Sequence, residues 1–306
     1  MPRPLSYRDI PIRKWGKEHA RSDMNWLRRN WMNLLLAVVL FTGAGLLSYP
    51  TASNLWNTWH QSRAIRDYDA AVRTLSVQDY TAELEAARRY NAELAGHAGR
   101  WDADGEFYSR YEGLLDVGGD GIMCYVEIPA INVKLPVYHG TDDNVLQVAV
   151  GHLYGSSLPV GGAGTHAVLS GHTGLPRAEL FTGLTELEAG DEFMIRVLDE
   201  LLTYEIDQIR VVLPDDVSDL KIDPEQDYCT LVTCTPYGVN SHRLLVRGVR
   251  IENAAGTEEP EIRETHADTR TGVTMKQVAL LIGPSLAAAF VLFLALRAQR
   301  KTKKAR

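Results

Sequence analysis

The chain has 306 residues, 45% of them hydrophobic and 23% charged, with a formal net charge of −7. That is enough apolar material for one substantial domain with additions, and three cysteines are too few for a disulfide framework. Removing the basic ends, which carry +5 and +6, leaves −18 on the portion between them, a balance that argues against nucleic acid or an anionic membrane surface as a general partner.

Residues 1–32 read as a basic tail, with eight Lys/Arg against three Asp/Glu up to position 30. Residues 33–50 then carry no charged side chain and are long enough, as a helix, to cross a hydrocarbon core. A cleaved signal peptide is the competing reading, and the long polar leader favours an uncleaved anchor. From 51 to 97 apolar residues recur at three- and four-residue intervals among charges, which predicts a helical arm. Ser76 is placed to open its second helix, with Asp79 three residues on.

Residues 98–120 are polar, dotted with aromatics and broken by glycines, as expected of a linker or of an arm lying over something. From 121 to 252 the text becomes a series of short β-like runs cut by turns, which predicts a mainly β fold closed into a barrel of about eight strands. A polar tether follows at 253–277, and 278–296 is a second uncharged run of spanning length. The last segment, 297–306, holds six Lys/Arg and no acid. With basic residues beside both spans, the two termini are expected in the cytoplasm and the barrel outside the cell membrane.

The candidate chemistry begins at TLVTCTPYGVNSHRLLVRG, residues 230–248. Thr230 to Thr233 favour a pleated strand that ends at the thiol of Cys234. Pro236 and Gly238 stop it, and a second strand starts at Arg243. A thiol needs a nearby base before it attacks an acyl carbon. THAVLSGHTGLP, residues 165–176, supplies one in His172, at a strand-to-loop position comparable to that of Cys234. His166, on the same strand, falls at the opposite end, about 20 Å away by the rise per residue. Arg243 would supply a fixed donor for an oxyanion. His242 beside it competes as a base, yet strand neighbours point to opposite faces, so His242 and Arg243 cannot share the site.

Cys229 and Cys234 are likewise directed to opposite faces and should not bridge each other, while a Cys124–Cys229 bridge remains open. A free thiol outside the cell is exposed to oxidation, which favours a chemical reason for its presence over an inert buried residue.

TLVTC followed nine residues later by Arg, with SGHTGLP upstream, resembles the sortase signature. GIMCYVEIPAINVKLPVYHGT and VGHLYGSSLPVGGAGTHAVLSGHTGLP are similar to class C sortases, the pilus-assembling transpeptidases of Gram-positive bacteria. The likeness covers about residues 54–252 and extends to the two-span layout. It implies that Cys234 attacks the Thr–Gly bond of an LPXTG-like signal at a pilin C-terminus and forms a thioacyl enzyme. His172 would carry the proton, Arg243 would hold the carbonyl oxygens, and Thr233 would support the nucleophile. The partners implied are pilins bearing that signal and an acceptor lysine; no metal or diffusible cofactor is implied. Class C enzymes usually carry an Asp-Pro-aromatic lid ahead of the barrel. Here that stretch is Arg100-Trp101-Asp102-Ala103-Asp104-Gly105-Glu106-Phe107, with no Asp-Pro. It reads either as a lid built on Trp101 and Asp102 or as a plain polar linker.

Three other functions use the same residues differently. A housekeeping-type enzyme would pass the acyl group to a peptidoglycan amine and anchor single surface proteins. A cysteine protease would pass it to water. A non-enzymatic tethered β-domain would keep Cys234 as a structural residue.

Overall fold

The computed structural model describes residues 15–253 other than 98, 104, 176 and 177, and for 15–30 and 34 the backbone alone. The tether, second span and basic tail expected beyond Asn253, and residues 1–14 of the leader, lie outside the described residues.

The first element is a helix, α1, Trp15–Thr74. Contacts divide the chain between Thr51 and Ala52, so its two portions are described separately. The earlier portion holds a stretch long and apolar enough to cross a membrane, with a mean hydropathy of 1.8 over its most apolar 18 residues and nearly all of that surface exposed. In the later portion Ile65 and Tyr68 are buried against Ile122 and Tyr125. The Tyr68 hydroxyl donates to the Met123 carbonyl at 3.0 Å and accepts from the Leu198 amide at 2.7 Å, so this part of the helix is fastened to the barrel by polar contacts as well as by packing.

A second helix, α2, Val77–Leu94, begins as its sequence predicts: the Ser76 hydroxyl accepts from the Asp79 amide at 3.2 Å. Its buried residues Leu84, Ala87, Asn91 and Leu94 recur at helical spacing on one face. Asn91 is satisfied in that interface by a reciprocal pair of bonds with the backbone of Leu158, at 3.0 and 2.7 Å.

The stretch expected as linker or arm contains a further helix, α3, Gly105–Gly113. Two glycines and three aromatics in nine residues are weak helix formers. What holds the segment is tertiary: Phe107 stacks on Tyr90 at 4.5 Å, and Tyr111, fully buried, places its hydroxyl 3.1 Å from His152 Nδ1.

Eight strands close into a barrel: β1 Ile122–Ile128, β2 Val133–His139, β3 Val150–His152, β4 Thr165–Ser170, β5 Glu192–Val197, β6 Glu200–Val212, β7 Asp227–Thr235 and β8 His242–Ile251, with the short helix α4, Asp143–Leu146, between β2 and β3. Around the barrel the order is β1-β2-β3-β4-β7-β8-β6-β5. The pairs β2–β3 and β4–β7 are parallel and the other six are antiparallel. Alternation sets the two faces of the wall. On β7 and β8, Cys229, Leu231, Leu244 and Val246 belong to the interior, where they meet Leu169 of β4 and Phe193 of β5. Val232 and Leu245 lie on the other face and pack with Val168 and Leu220 in a separate, smaller cluster.

All three cysteines are free. The bridge left open between Cys124 and Cys229 is not made; both thiols are packed among apolar side chains, and that burial pushes both up from the ordinary thiol range.

Candidate active site

Strand register brings the predicted residues together. In the antiparallel β7–β8 pair Cys234 stands directly opposite Arg243, and directly opposed residues share a face of the sheet. In the parallel β4–β7 pair Ser170 is level with Val232, and the Gly171 amide extends the ladder by donating to the Val232 carbonyl at 3.0 Å. Two residues beyond each member of that pair lie His172 and Cys234. Imidazole, thiol and guanidinium therefore come from three adjacent strand ends on the outer face of the barrel.

All three line one cavity of ≈490 Å³. Val168, Ser170, Val232 and Leu245 contribute from the same strands, and residues between Val212 and Leu220, in the connection from β6 to β7, contribute a further wall. The register places Arg243 between Cys234 on one side and Val212 on the other.

Each side chain is held differently. Arg243 Nη1 donates to the carbonyls of Asn240 and His242 at 3.2 and 3.1 Å, which orients the guanidinium plane with bonds to its own turn. Nε and Nη2 keep their hydrogens unpaired among the described residues, and these are the donors an oxyanion would need. The loop after His172 is closed by the Phe181 amide, which donates to the His172 carbonyl at 3.1 Å. It is tied to α1 through Asn54, whose side chain donates to Glu179 Oε1 and accepts from the Glu179 amide, both at 3.2 Å. Thr233 faces the interior beside the thiol, and its hydroxyl donates to the Gly171 carbonyl at 2.7 Å. Cys234 itself is partly exposed, a condition that the role expected of it requires.

The two competing histidines lie elsewhere. His166 is buried, with Nδ1 2.8 Å from the Lys221 carbonyl and Nε2 2.7 Å from Thr230 Oγ1, and burial holds it below the ordinary imidazole range. His242 pairs with Ser241 at 2.9 Å and does not line the cavity.

Of the two lid candidates, Trp101 reaches the cavity and Asp102 does not. The Trp101 ring lies so close over Gly155 that any side-chain carbon there would collide with it, and Arg100 covers the ring at 4.6 Å. The Asp102 amide donates to the Gly99 carbonyl at 2.9 Å, and its carboxylate turns back toward Gly99 rather than reaching Arg243.

Two features of the site escape a reading of the sequence. The Val212–Leu220 wall comes from a connection whose residues carry no motif. Tyr237, from the β7–β8 turn, lays its ring against Gly174, which has φ +72° and leaves no room for a side chain on that side. Tyr237 thus covers the His172 loop from the turn between thiol and guanidinium, a contact set by tertiary placement.

Residues 126–251 match the family model described as the Sortase domain. Among solved structures, sortase C1 from Streptococcus agalactiae is 48% identical, covers 63% of this chain and 100% of its own, and superposes with a TM-score of 0.61. Sortase C from Streptococcus pneumoniae is 42% identical over 63% of this chain and 98% of its own, with a TM-score of 0.57. Sortase D of Bacillus subtilis (strain 168) is 35% identical over 129 residues, 41% of this chain and 62% of that protein. The chain thus spans less than two thirds of that curated relative.

Proposed function

Because the chain belongs to the sortase family and to its class C, we propose that it is a membrane-anchored cysteine transpeptidase. In this reading it cleaves an LPXTG-like sorting signal at a pilin C-terminus and joins the acyl fragment to a lysine of the next pilin through an isopeptide bond. The observation that carries the proposal is the shared face of Cys234 and Arg243, with His172 level with the thiol at the mouth of the same cavity. The pilin assignment is supported by the Streptococcus pneumoniae relative, whose structure is described in terms of pilin substrate specificity. The anchor rests on the apolar stretch of α1, and both termini are assigned to the cytoplasm from the basic residues beside the spans.

The proposed cycle needs protons moved at two nitrogens. The Cys234 thiolate attacks the carbonyl carbon of the Thr–Gly bond, the C–S bond forms, and the carbonyl electron pair moves onto oxygen. Nε–H and Nη2–H of Arg243 receive that oxyanion. As the C–N bond breaks, the His172 imidazolium gives its proton to the departing glycine amine. A lysine amine then attacks the thioester and loses a proton to the now neutral His172, and the thiolate leaves, which restores the starting charges. Thr233 supports the geometry through Gly171, and the apolar cavity wall receives the apolar part of the signal. In this reading Trp101 acts as the lid residue over the cavity. The chemistry calls for no metal or diffusible cofactor.

The test combines an LPXTG peptide with graded amounts of an amine acceptor. Amide product should replace free acid as the amine rises, and Cys234→Ala should form no thioester. Free acid alone at saturating amine would identify a hydrolase, and unchanged turnover in Cys234→Ala would remove the proposed nucleophile.

A further inference from the structure

Between Asp23 and Asp67 the sequence contains no acidic residue, although the uncharged run at 33–50 fills less than half of that interval. The portion that follows the run, residues 52–66, carries Trp56, Trp59, His60, Arg63 and Arg66. Positions 56, 59, 60 and 63 share one face of a helix. Their rings form a cluster, with centroids 4.7 Å apart for Trp56–His60, 4.8 Å for Trp59–His60 and 6.0 Å for Trp56–Trp59. The Arg63 guanidinium lies 5.9 Å from the Trp59 centroid.

Among the described residues nothing covers this face. Trp56 is 63% and Trp59 50% exposed, whereas Ile65 and Tyr68, a little further along the same helix, are almost completely buried. Two neighbouring tryptophans in water forgo a large apolar gain, so the patch marks an interaction site.

We propose that Trp56, Trp59 and Arg63 dock on the lipid headgroup layer at the outer edge of the membrane span. The inference rests on reading residues 33–50 as that span. Tryptophan, apolar in body with one polar N–H, concentrates at headgroup depth, and arginine can meet the phosphates there. Trp31 borders the uncharged run on its other side, so tryptophans flank the run in both directions along the sequence. The −18 of the outer portion concerns the domain as a whole; residues 52–66 carry Arg63 and Arg66 and no acid, and Asp67, one turn beyond Arg63, pairs with it at 3.5 Å.

The consequence reaches the cavity. Asn54 and Gln61, on the same turns, bond to Glu179 and to the Val148 carbonyl, and Glu179 lies on the loop that returns from His172. Docking at Trp56 and Trp59 therefore keeps the His172 loop near the membrane surface.

The test uses the full chain reconstituted into phosphatidylcholine–phosphatidylglycerol vesicles whose acyl chains are brominated either near the headgroup or deep in the tail. One variant keeps Trp59 as its sole tryptophan and another keeps Trp31, the rest being changed to phenylalanine. Trp59 should lose more emission to the shallow bromines than to the deep ones and be shielded from aqueous acrylamide. If Trp31 is quenched by lipid bromine while Trp59 is not and stays open to acrylamide, the docking is overturned and the span survives. A Trp59 shielded from acrylamide but untouched by bromine is covered by protein, which also overturns the docking. If neither tryptophan is quenched by lipid, the span reading fails and the docking with it.

Discussion

The Thr233 hydroxyl donates to the Gly171 carbonyl at 2.7 Å, linking the residue before the proposed nucleophile to the residue before the proposed proton carrier. Cys234 and His172 are 62 residues apart in sequence, and this one side-chain bond joins their immediate neighbours. Thr233→Val preserves the β-branched shape and removes the donor, leaving a buried carbonyl without it. Stability should fall by about 1–3 kcal/mol. The turnover rate should fall while KM for the signal peptide changes little, because the thiol–imidazole geometry is disturbed rather than the binding wall. Thr233→Ser restores the hydroxyl and should recover most of the rate. A rate loss equal in both variants would assign Thr233 to packing alone.

Arg243 makes a second prediction through what it lacks. Its Nη1 is occupied by two carbonyls of its own turn, and no carboxylate competes for the rest of the fork among the described residues. Arg243→Lys keeps the charge but replaces a planar, pre-oriented donor set with a flexible ammonium. Loss of oxyanion stabilisation should cost roughly 10²–10³ in turnover. Thermal stability should be almost unchanged, since the guanidinium supports no ion pair among the described residues. Steady-state kinetics with the peptide, together with a melting curve, separates the two effects.

The three cysteines should differ sharply in reactivity. Cys124 and Cys229 are buried in the barrel interior, where desolvation holds both thiols protonated, whereas Cys234 borders the cavity. A small alkylating reagent should therefore modify one thiol per folded chain, at Cys234, and all three after unfolding; mass spectrometry counts them. Trp101 lines the same cavity, so Trp101→Ala should raise the alkylation rate at Cys234 severalfold without opening the other two sites. An unchanged rate would show that Trp101 does not restrict access to the thiol.

How much of this was legible in the sequence depended on element length and on local rules. β7 and β8, with nine and ten residues, are long enough for strict alternation, so the sequence could place Cys234 and Arg243 at facing strand ends, direct His242 away from Arg243 and separate Cys229 from Cys234. Ser76 was legible as a cap for the same reason, since capping is local. β3 was not. Three residues cannot display a period, and Val150–His152 is strand because β2 and β4 pair with it from either side. The helix at Gly105–Gly113 owes its existence to Tyr90 and His152, and the bond between Asn54 and Glu179 joins residues 125 apart. Such long-range contacts leave no mark on neighbouring residues.

His152, hidden in that shortest strand, carries the last prediction. The ring is completely buried between Tyr111 and Ser157. The Ser157 carbonyl, 2.8 Å from Nε2, can only accept, so Nε2 bears the hydrogen and Nδ1 is left to accept from the Tyr111 hydroxyl at 3.1 Å. That arrangement suits the neutral imidazole, and burial lowers its pKa from the ordinary 6.5 to about 4. Between those values the unfolded chain binds a proton that the folded protein refuses. The stabilisation is therefore full above the unfolded value and is lost as pH falls through the window, by roughly 3 kcal/mol in all. Buried His166 acts in the same direction. Asp69 and Asp227, raised by burial, bind protons more tightly when folded and oppose the loss. The contribution of His152 is isolated by difference: His152→Gln should be less stable than the parent at neutral pH but should lose less stability on acidification. Melting temperatures measured across the window should converge for the two proteins as pH falls, and parallel curves would show that His152 does not titrate on unfolding.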